Sequence, residues 1–422
     1  MKILIITHYF PPENSVASMR PHSWAKYWTM AGHELTVLTT KKGKTDTDLN
    51  LPNHGFEIIE IHSKASRNIK KKNNEKKNAN TNVNKKSWIR RQVSWFCNRT
   101  GAILNDARYP NIFMFWKKPA IEAILKSEKH YDIAIATHAP FVTFMIASEL
   151  KKRGIVDKIV FDFRDLWTNH HLYSGIPILN TYEKWLEKRL CKLADVITVV
   201  SDNLADILRT KVDNDKIFII PNGFDMDDLS ILPSSNYFDN KKINIVYTGS
   251  IYMEHTNPSL LLDSIKELKD VSFNLDKLNI CFIGSISNSL DVIIKKYCIG
   301  EFVYQKNRLS REETLRIQRD ADVLLFFEWT EKDGILTGKL FEYMFSGTQI
   351  WTIGRKWQPS RMIEELGLGK AFGNDVQLIK KELINLLNGN LPPKNDISNI
   401  KELQKYTREY QANKLLKIIE KL

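Results

Sequence analysis

Short apolar runs rich in Val, Ile and Phe alternate along the chain with stretches whose apolar positions recur every three or four residues. In the first half the runs lie at 2–7, 34–40, 56–62, 131–137, 158–163, 195–200 and 216–220, and the helical stretches at 20–31, 120–128, 141–152 and 181–192. Runs that are apolar on both faces and separated by helices predict a parallel sheet covered on both sides. The pattern lapses after Pro221-Asn222-Gly223, where 225–242 gathers Asp, Asn, Ser and Pro233. A second series follows, with strands at 243–247, 278–283, 302–304, 322–327 and 349–353 and helices near 259–269, 288–297, 311–320, 338–346 and 359–366. The tail, 397–422, is helical by pattern. The expected fold is α/β, with two Rossmann-like doubly wound domains facing across a cleft. The expected organisation is an N-terminal domain over 1–228, a linker over 229–241, a C-terminal domain over 242–396, and a terminal helix over 397–422 packing back toward the N-terminal domain. Ligands of such sheets lie outside the carboxyl ends of the strands, so the loops there are where chemistry is sought.

Composition narrows the class. Of 422 residues 43% are hydrophobic and 26% charged, ordinary for a soluble globular protein. Four scattered cysteines form no CxxC pair, which argues against a disulfide framework or a thiolate zinc site and fits a reducing compartment. No apolar run approaches the roughly 20 residues that span a bilayer, and the apolar start at 3–6 is too short for a signal segment. A cytoplasmic protein is expected.

The charge is local. Between Lys64 and Arg91 eleven basic residues stand against the single acid Glu75, ten of the thirteen net positive charges. The middle of this window is Asn/Lys-rich and nearly free of apolar residues, which predicts a flexible loop over about 64–87. Trp88, Ile89, Val93, Trp95 and Phe96 follow, interleaved with Arg90, Arg91 and Arg99. Three readings fit: an anionic membrane surface met by 64–99, a solvated loop followed by a helix of its own domain, or nucleic acid. The membrane reading is carried forward, with association at the inner face of the plasma membrane and no nucleic acid partner.

The most informative stretch is Asp333–Gly347. Thr337 is placed to cap a helix and Gly347 to end it. Leu340/Met344 and Phe341/Phe345 are apolar i,i+4 pairs, leaving Gly338, Lys339, Glu342 and Ser346 as one polar stripe. Free amides in the first turn favour an anion, and Lys339 adds a full charge. A carboxylate nearly one turn on, about 5 Å, is spaced to take ribose hydroxyls while Lys339 meets the phosphates. The bland alternative is an exposed i,i+3 Lys–Glu pair. Gly249 and Ser250, after the first strand of this domain, suit close backbone approach and donation to phosphate; Gly284, after the next strand, is a weaker candidate of the same kind.

In the first domain, 7–20 (THYFPPENSVASMR) follows the first strand and can present Asn14, Ser15 and Arg20. His138 ends the fourth strand candidate, where it can donate to a sugar hydroxyl or serve structure alone. In Phe161-Asp-Phe-Arg-Asp-Leu-Trp167, either Arg164 satisfies the carboxylates internally or Asp165 faces an open cleft.

Together HYFPPENSVASMR, GHELTV at 32–37, DFRDLW, ADVITVVS at 194–201, IPNGFD at 220–225, YTGSIY and GKLFEYMFSG resemble the family 4 glycosyltransferases of the GT-B fold, in the branch that builds bacterial surface polysaccharides. The resemblance covers nearly the whole chain outside 64–87. It implies a hexosyl- or N-acetylhexosaminyltransferase of retaining chemistry, with a nucleotide-sugar donor, UDP by family usage, and a polyprenyl-linked or oligosaccharide acceptor. Glu342 matches the second Glu of the family's E-x7-E motif, which holds the ribose, and Lys339 the basic residue contacting the diphosphate. His138 lies near the family's cleft histidine. With Asp165 taken from the strand-end reading above, the expected catalytic set is His138, Asp165 and Lys339. The donor set is Gly249, Ser250, Gly284, Gly334, Ile335, Leu336, Thr337, Gly338, Lys339 and Glu342, and Asn14, Ser15, Arg20 and Arg164 line the acceptor side. The chain departs from the pattern where the first Glu would fall at Gly334, where an Arg/Lys pair is absent from GSIYMEHTNP, and where Asn14-Ser15 replaces glycines. Amides at Gly334 and Ile335, or Asp333, stand in for the missing Glu, and Lys339 is left as the main counter-charge. No cofactor or metal is expected: Asp225-Met-Asp227 reads as structural and Asp46-Thr-Asp48 as an ordinary loop. A nucleotide-sugar epimerase of the same fold and a non-catalytic partner subunit are the alternatives.

Overall fold

A computed structural model describes residues 1–43, 45, 48–62, 111–169, 177–231, 233, 237–331 and 333–422. The basic loop, the aromatic residues that follow it to 99, and Asp46 lie outside the described residues. The chain forms two compact units, Met1–Ile220 with Ala412–Leu422, and Pro221–Gln411.

The first unit is a seven-stranded parallel sheet in the order β3-β2-β1-β4-β5-β6-β7. Its strands are β1 (Lys2–Ile6), β2 (Glu34–Thr40), β3 (Glu57–Ile61), β4 (Tyr131–His138), β5 (Val156–Phe163), β6 (Val196–Val199) and β7 (Ile217–Ile219). Its helices are α1 (Val16–Met30), α2 (Lys117–Lys126), α3 (Val142–Lys152), α4 (Pro177–Cys191) and α5 (Asp202–Arg209). Side chains alternate across each strand. Leu4 and Ile6 therefore enter the core beneath α2–α5, while Ile3 and Ile5 enter the opposite one with Trp24 and Trp28 of α1. Ala412, Leu415, Leu416 and Ile419 complete that second layer, and the Trp28 indole donates to the Ala412 carbonyl at 2.9 Å.

The second unit is a six-stranded parallel sheet in the order β10-β9-β8-β11-β12-β13. The strands are β8 (Ile243–Thr248), β9 (Leu278–Ile283), β10 (Val303–Lys306), β11 (Val323–Phe327), β12 (Gln349–Ile353) and β13 (Gly369–Ala371). The helices are α6 (Ser259–Asp270), α7 (Asn288–Lys296), α8 (Arg311–Asp320), α9 (Gly338–Met344), α10 (Gln358–Glu365) and α11 (Val376–Leu387); α12 (Arg408–Ile419) closes the chain. The order reverses between β1 and β4 in one sheet and between β8 and β11 in the other, so the carboxyl ends of those strands are the switch points.

Two segments differ from expectation. Residues 221–228, expected in the N-terminal domain, belong to the second unit, where Phe224 pairs with Thr407 and the Phe224 ring stacks on Phe345 at 4.9 Å. That bridge also divides the tail, expected as one helix over 397–422: its first part forms 3-10 turns at Ile397–Asn399 and Lys401–Tyr406, and only Arg408–Ile419 is α-helical.

Candidate functional site

At the carboxyl ends of β8 and β9 the backbone is packed as closely as glycine allows. Gly249 turns at φ +121°, and a Cβ there would lie 3.2 Å from the Lys339 ammonium. A Cβ on Gly284 would meet the Gly249 carbonyl oxygen at 2.1 Å. Ser250 and Ser285, one residue on from each glycine, are joined by their hydroxyls at 3.1 Å. The structure therefore brings Gly249, Ser250, Gly284 and Lys339 together, from two strand ends and the start of α9. Gly284→Ala is expected to cost about 1–3 kcal/mol by forcing the two turns apart. Gly300→Ala, whose Cβ would meet nothing nearer than Ile294 at 3.8 Å, is the matched control. Equal urea midpoints for the two variants would contradict this packing.

Lys339 does not form the bland i,i+3 pair with Glu342. Its Nζ lies 3.8 Å from the centroid of the Tyr247 ring and donates to the Tyr247 hydroxyl at 2.5 Å. The phenol in turn donates to the Ser250 carbonyl at 3.0 Å, and burial pushes its pKa far up, so it stays neutral. A lysine whose hydrogen-bonding partner is a neutral phenol keeps its charge uncompensated. Burial accordingly lowers its pKa to about 7, against a smaller opposing pull from Glu342.

Glu342 is held from the other side. Its Oε1 accepts from Arg311 at 2.6 Å, and the Gln318 amide approaches its Oε2 at 3.5 Å. Arg311, the first residue of α8, also binds Asp228. The carboxylates on both sides hold the guanidinium firmly charged against its desolvation. Gln318 further donates to Thr248 at 3.0 Å, and the Thr248 amide donates to the Tyr343 hydroxyl at 2.8 Å, tying α9 to the end of β8. Sequence reasoning placed Glu342 but missed Arg311 and Asp228, which no local spacing connects to it.

The segment before α9 differs from expectation in several respects. Leu336 is core, so only its backbone is left for a ligand. The Gly334 amide donates to its neighbour Asp333 at 2.6 Å, and the Asp333 carboxylate also receives the Gln358 amide and pairs with Arg361. Asp333 is thus a structural acceptor for the start of α10. Gly338 is buried, Ile335 half-buried. Thr337 is the N-cap residue by backbone, yet its side chain caps nothing and its hydroxyl is buried without a hydrogen-bond partner. At the end of β11 lies a group that sequence reasoning missed, Glu328. Its carboxylate receives the Ser360 amide and hydroxyl at 2.8 and 2.7 Å, and burial pushes its pKa up to about 7.

In the first unit, Arg20, expected on the acceptor side, is instead buried. It meets Asp162 of β5 with Nε at 3.1 Å and a terminal nitrogen at 2.8 Å. Thr137 and Thr198 also donate to Asp162, so this acid is satisfied by α1 and neighbouring strands rather than by Arg164. Arg164 donates to the carbonyls of His138 at 2.8 Å and Ala139 at 2.9 Å, fixing the turn after β4. His138 is fully buried, with Nδ1 2.9 Å from the backbone oxygen of Asp165. Ser15 caps α1 by accepting from the Ser18 amide, and Asn14 precedes it, half-buried. His8, at the end of β1 and missed by sequence reasoning, is buried against Phe113 and Trp116, and burial keeps it neutral. Asp225 accepts from the Asp227 amide, so the DxD at 225–227 starts a 3-10 turn.

Residues 20–228 match a family model described as Glycosyltransferase Family 4. No curated protein matches the chain. Among solved structures, sucrose-phosphate synthase from Thermosynechococcus elongatus is similar at a TM-score of 0.64 and 13% identity, over 100% of this chain and 98% of that one. Alr3699/HepE of Anabaena, in complex with UDP and glucose, is similar at 0.63 and 10%, over 100% of both chains. The lipopolysaccharide outer core galactosyltransferase WaaB, in its apo form, gives 0.58 and 14%, again over 100% of both. At identities this low the likeness shows the fold alone.

Proposed function

Because residues 20–228 match the model of glycosyltransferase family 4 and the chain has the GT-B fold, we propose that it is a retaining hexosyl- or N-acetylhexosaminyltransferase of bacterial surface-polysaccharide biosynthesis (O-antigen, capsule or exopolysaccharide). It takes its sugar from a nucleotide-sugar, with UDP as the expected nucleotide, and passes it to a polyprenyl-linked or growing saccharide acceptor. The observation that carries this reading is the Lys339 ammonium, set against a neutral phenol beside two glycine turns at the carboxyl ends of adjacent parallel strands. An uncompensated cation beside closely approachable backbone suits a diphosphate. The complex of HepE with UDP and glucose and the lipopolysaccharide activity in WaaB's name support the choice of donor and acceptor class.

In this reading Lys339 neutralises charge growing on the departing nucleoside diphosphate, so no metal is needed. Glu342, held at one oxygen by Arg311, offers the other to the ribose. The acceptor hydroxyl attacks on the face the diphosphate leaves, and a departing phosphate oxygen takes its proton. On the acceptor side Asp165 is half-buried and placed to meet the acceptor, and the fully buried His138 positions it through its backbone oxygen. Residues 64–99 hold the enzyme at the anionic inner face of the membrane; among the described residues no helix is long and apolar enough to cross one.

The test is release of nucleoside diphosphate from UDP-, GDP- and dTDP-sugars, with and without membrane extract. Acceptor-dependent release from one donor class is expected. Donor consumed without acceptor and without transfer would point to an epimerase, and no turnover or binding of any donor to a partner subunit. Flotation with anionic vesicles is expected to weaken on deletion of 68–86.

A further inference from the structure

Helix α4 is divided lengthwise by chemistry. Its inner half carries Leu186, Leu190 and Cys191 into the core beneath the sheet. The same half carries both of its acids, Glu183 and Glu187, each 1% exposed. Burying a carboxylate is unfavourable unless it is paired. Glu187 is paired, by Lys211 at 2.8 Å and the Thr168 hydroxyl at 2.6 Å, which also locks the helix to its neighbours. From Thr181 on, the exposed positions of the helix are Thr181, Tyr182, Lys184, Trp185, Lys188 and Arg189, and Lys192 follows just past its end. Tyr182 is 43% and Trp185 52% exposed, and Trp185 is the most exposed tryptophan among the described residues. At helical spacing, 182, 185, 189 and 192 form one stripe, with 184 and 188 along its flank.

We propose that this outer face of α4 is a docking surface for an anionic lipid bilayer. The proposal rests on the reading of a membrane-borne acceptor but on residues other than 64–99. The face carries Lys184, Lys188 and Arg189, with Lys192 just past the helix end, and no exposed acid of its own helix, which complements a sheet of negative headgroups. Trp and Tyr are the side chains that settle at headgroup depth, apolar body down and polar edge in water, and long basic side chains beside them reach back to the phosphates. Single-stranded nucleic acid fits less well. It needs ring faces open for base stacking, whereas the Arg189 guanidinium lies 5.2 Å from the Trp185 centroid and the Tyr182 ring lies 5.7 Å away, tilted by 31°. Glu187 and the core leucines fix the rings on a rigid scaffold, so little ordering is required when they meet the surface.

The experiment is co-sedimentation of the full chain with phosphatidylcholine vesicles, with and without about 30% phosphatidylglycerol, at low and high salt. The wild type is expected to bind the anionic vesicles and to release them as salt rises. Each base near such a surface strengthens binding roughly fivefold, so Lys188→Glu/Arg189→Glu is expected to weaken it by well over tenfold. Trp185→Phe is expected to lose the part of the tryptophan quenching by brominated lipid that this ring supplies. Lys295→Glu/Lys296→Glu, exposed on α7 of the second unit, changes net charge equally and is expected to bind like wild type. Circular dichroism of each variant reports folding. Wild-type binding by the α4 variants, equal loss by the α7 control, or retention of an acidic peptide or RNA in place of vesicles would overturn the proposal. Donor turnover assayed in parallel separates the two readings. Lost vesicle binding with intact turnover supports docking, while inactive wild type that still docks through α4 sinks the enzymatic reading only.

Discussion

Arg311→Met lowers the unfolding free energy of the second unit by about 3 kcal/mol, the scale for removing one partner of a buried ion pair. Arg311 is 15% exposed and its two carboxylates, Glu342 and Asp228, 14% each, so the substitution strands two negative charges where water reaches poorly. Two features bear on the size. Arg408 lies close enough for its charge to feel Arg311 and both carboxylates, and it remains when Arg311 is gone, which trims the loss. Arg311 also follows Ser310, whose capping box with Glu313 starts α8 and survives the change, so the helix itself is not at stake. The measurement is urea unfolding followed by a probe in the second unit, because two units need not unfold together. Adding Glu342→Gln and Asp228→Asn to Arg311→Met is expected to recover most of the loss, since no buried charge is then unpaired. A single-variant effect below about 0.5 kcal/mol, the scale of an exposed pair, would show that water already screens the cluster.

This cluster also marks where sequence reasoning stops. Parallel strands buried on both faces announce themselves as apolar runs, and most of the first twelve were readable to within two residues of their ends. The thirteenth, Gly369–Ala371, has three residues and no apolar run, and exists because the β12 backbone offers it an edge. Helix α11 carried a readable signal, an Asp375 cap and apolar positions at Ile379, Leu383 and Leu386, that the strand-and-helix alternation had not used. Within the site, the amphipathic pattern fixed which residues of α9 turn from the core. It could not say where they go. Lys339 finds Tyr247 and Glu342 finds Arg311 through the sheet order, which juxtaposes β8 with β11 across a long stretch of sequence. Arg20 shows the converse: its place after a strand-end loop suggested ligand contact, but the α1 face it occupies turns it onto Asp162.

The pKa of Lys339 makes its role measurable without knowing the acceptor. Lys339→Ala lowers turnover by well over tenfold, about 1.4 kcal/mol or more of transition-state stabilisation. The sharper signature is proton linkage. Burial leaves the lysine half neutral near pH 7 in the donor-free protein. A diphosphate beside it favours the charged form and raises its pKa, so donor binding takes up a proton above about pH 7. Affinity for a nucleotide-sugar therefore falls as pH rises through 7 to 9, by up to about tenfold per unit, and levels off below 7. The empty protein behaves oppositely. Between about 7 and the ordinary 10.5 the unfolded chain binds a proton that the folded, donor-free lysine does not, so this group adds stability as pH rises. Calorimetric titration in two buffers of different ionisation heat counts the protons taken up. Uptake approaching one near pH 8 is expected for the wild type and none for Lys339→Met. Uptake unchanged in that variant would assign the proton to another group, and a pH-independent affinity would mean that the ammonium never meets the donor's charge.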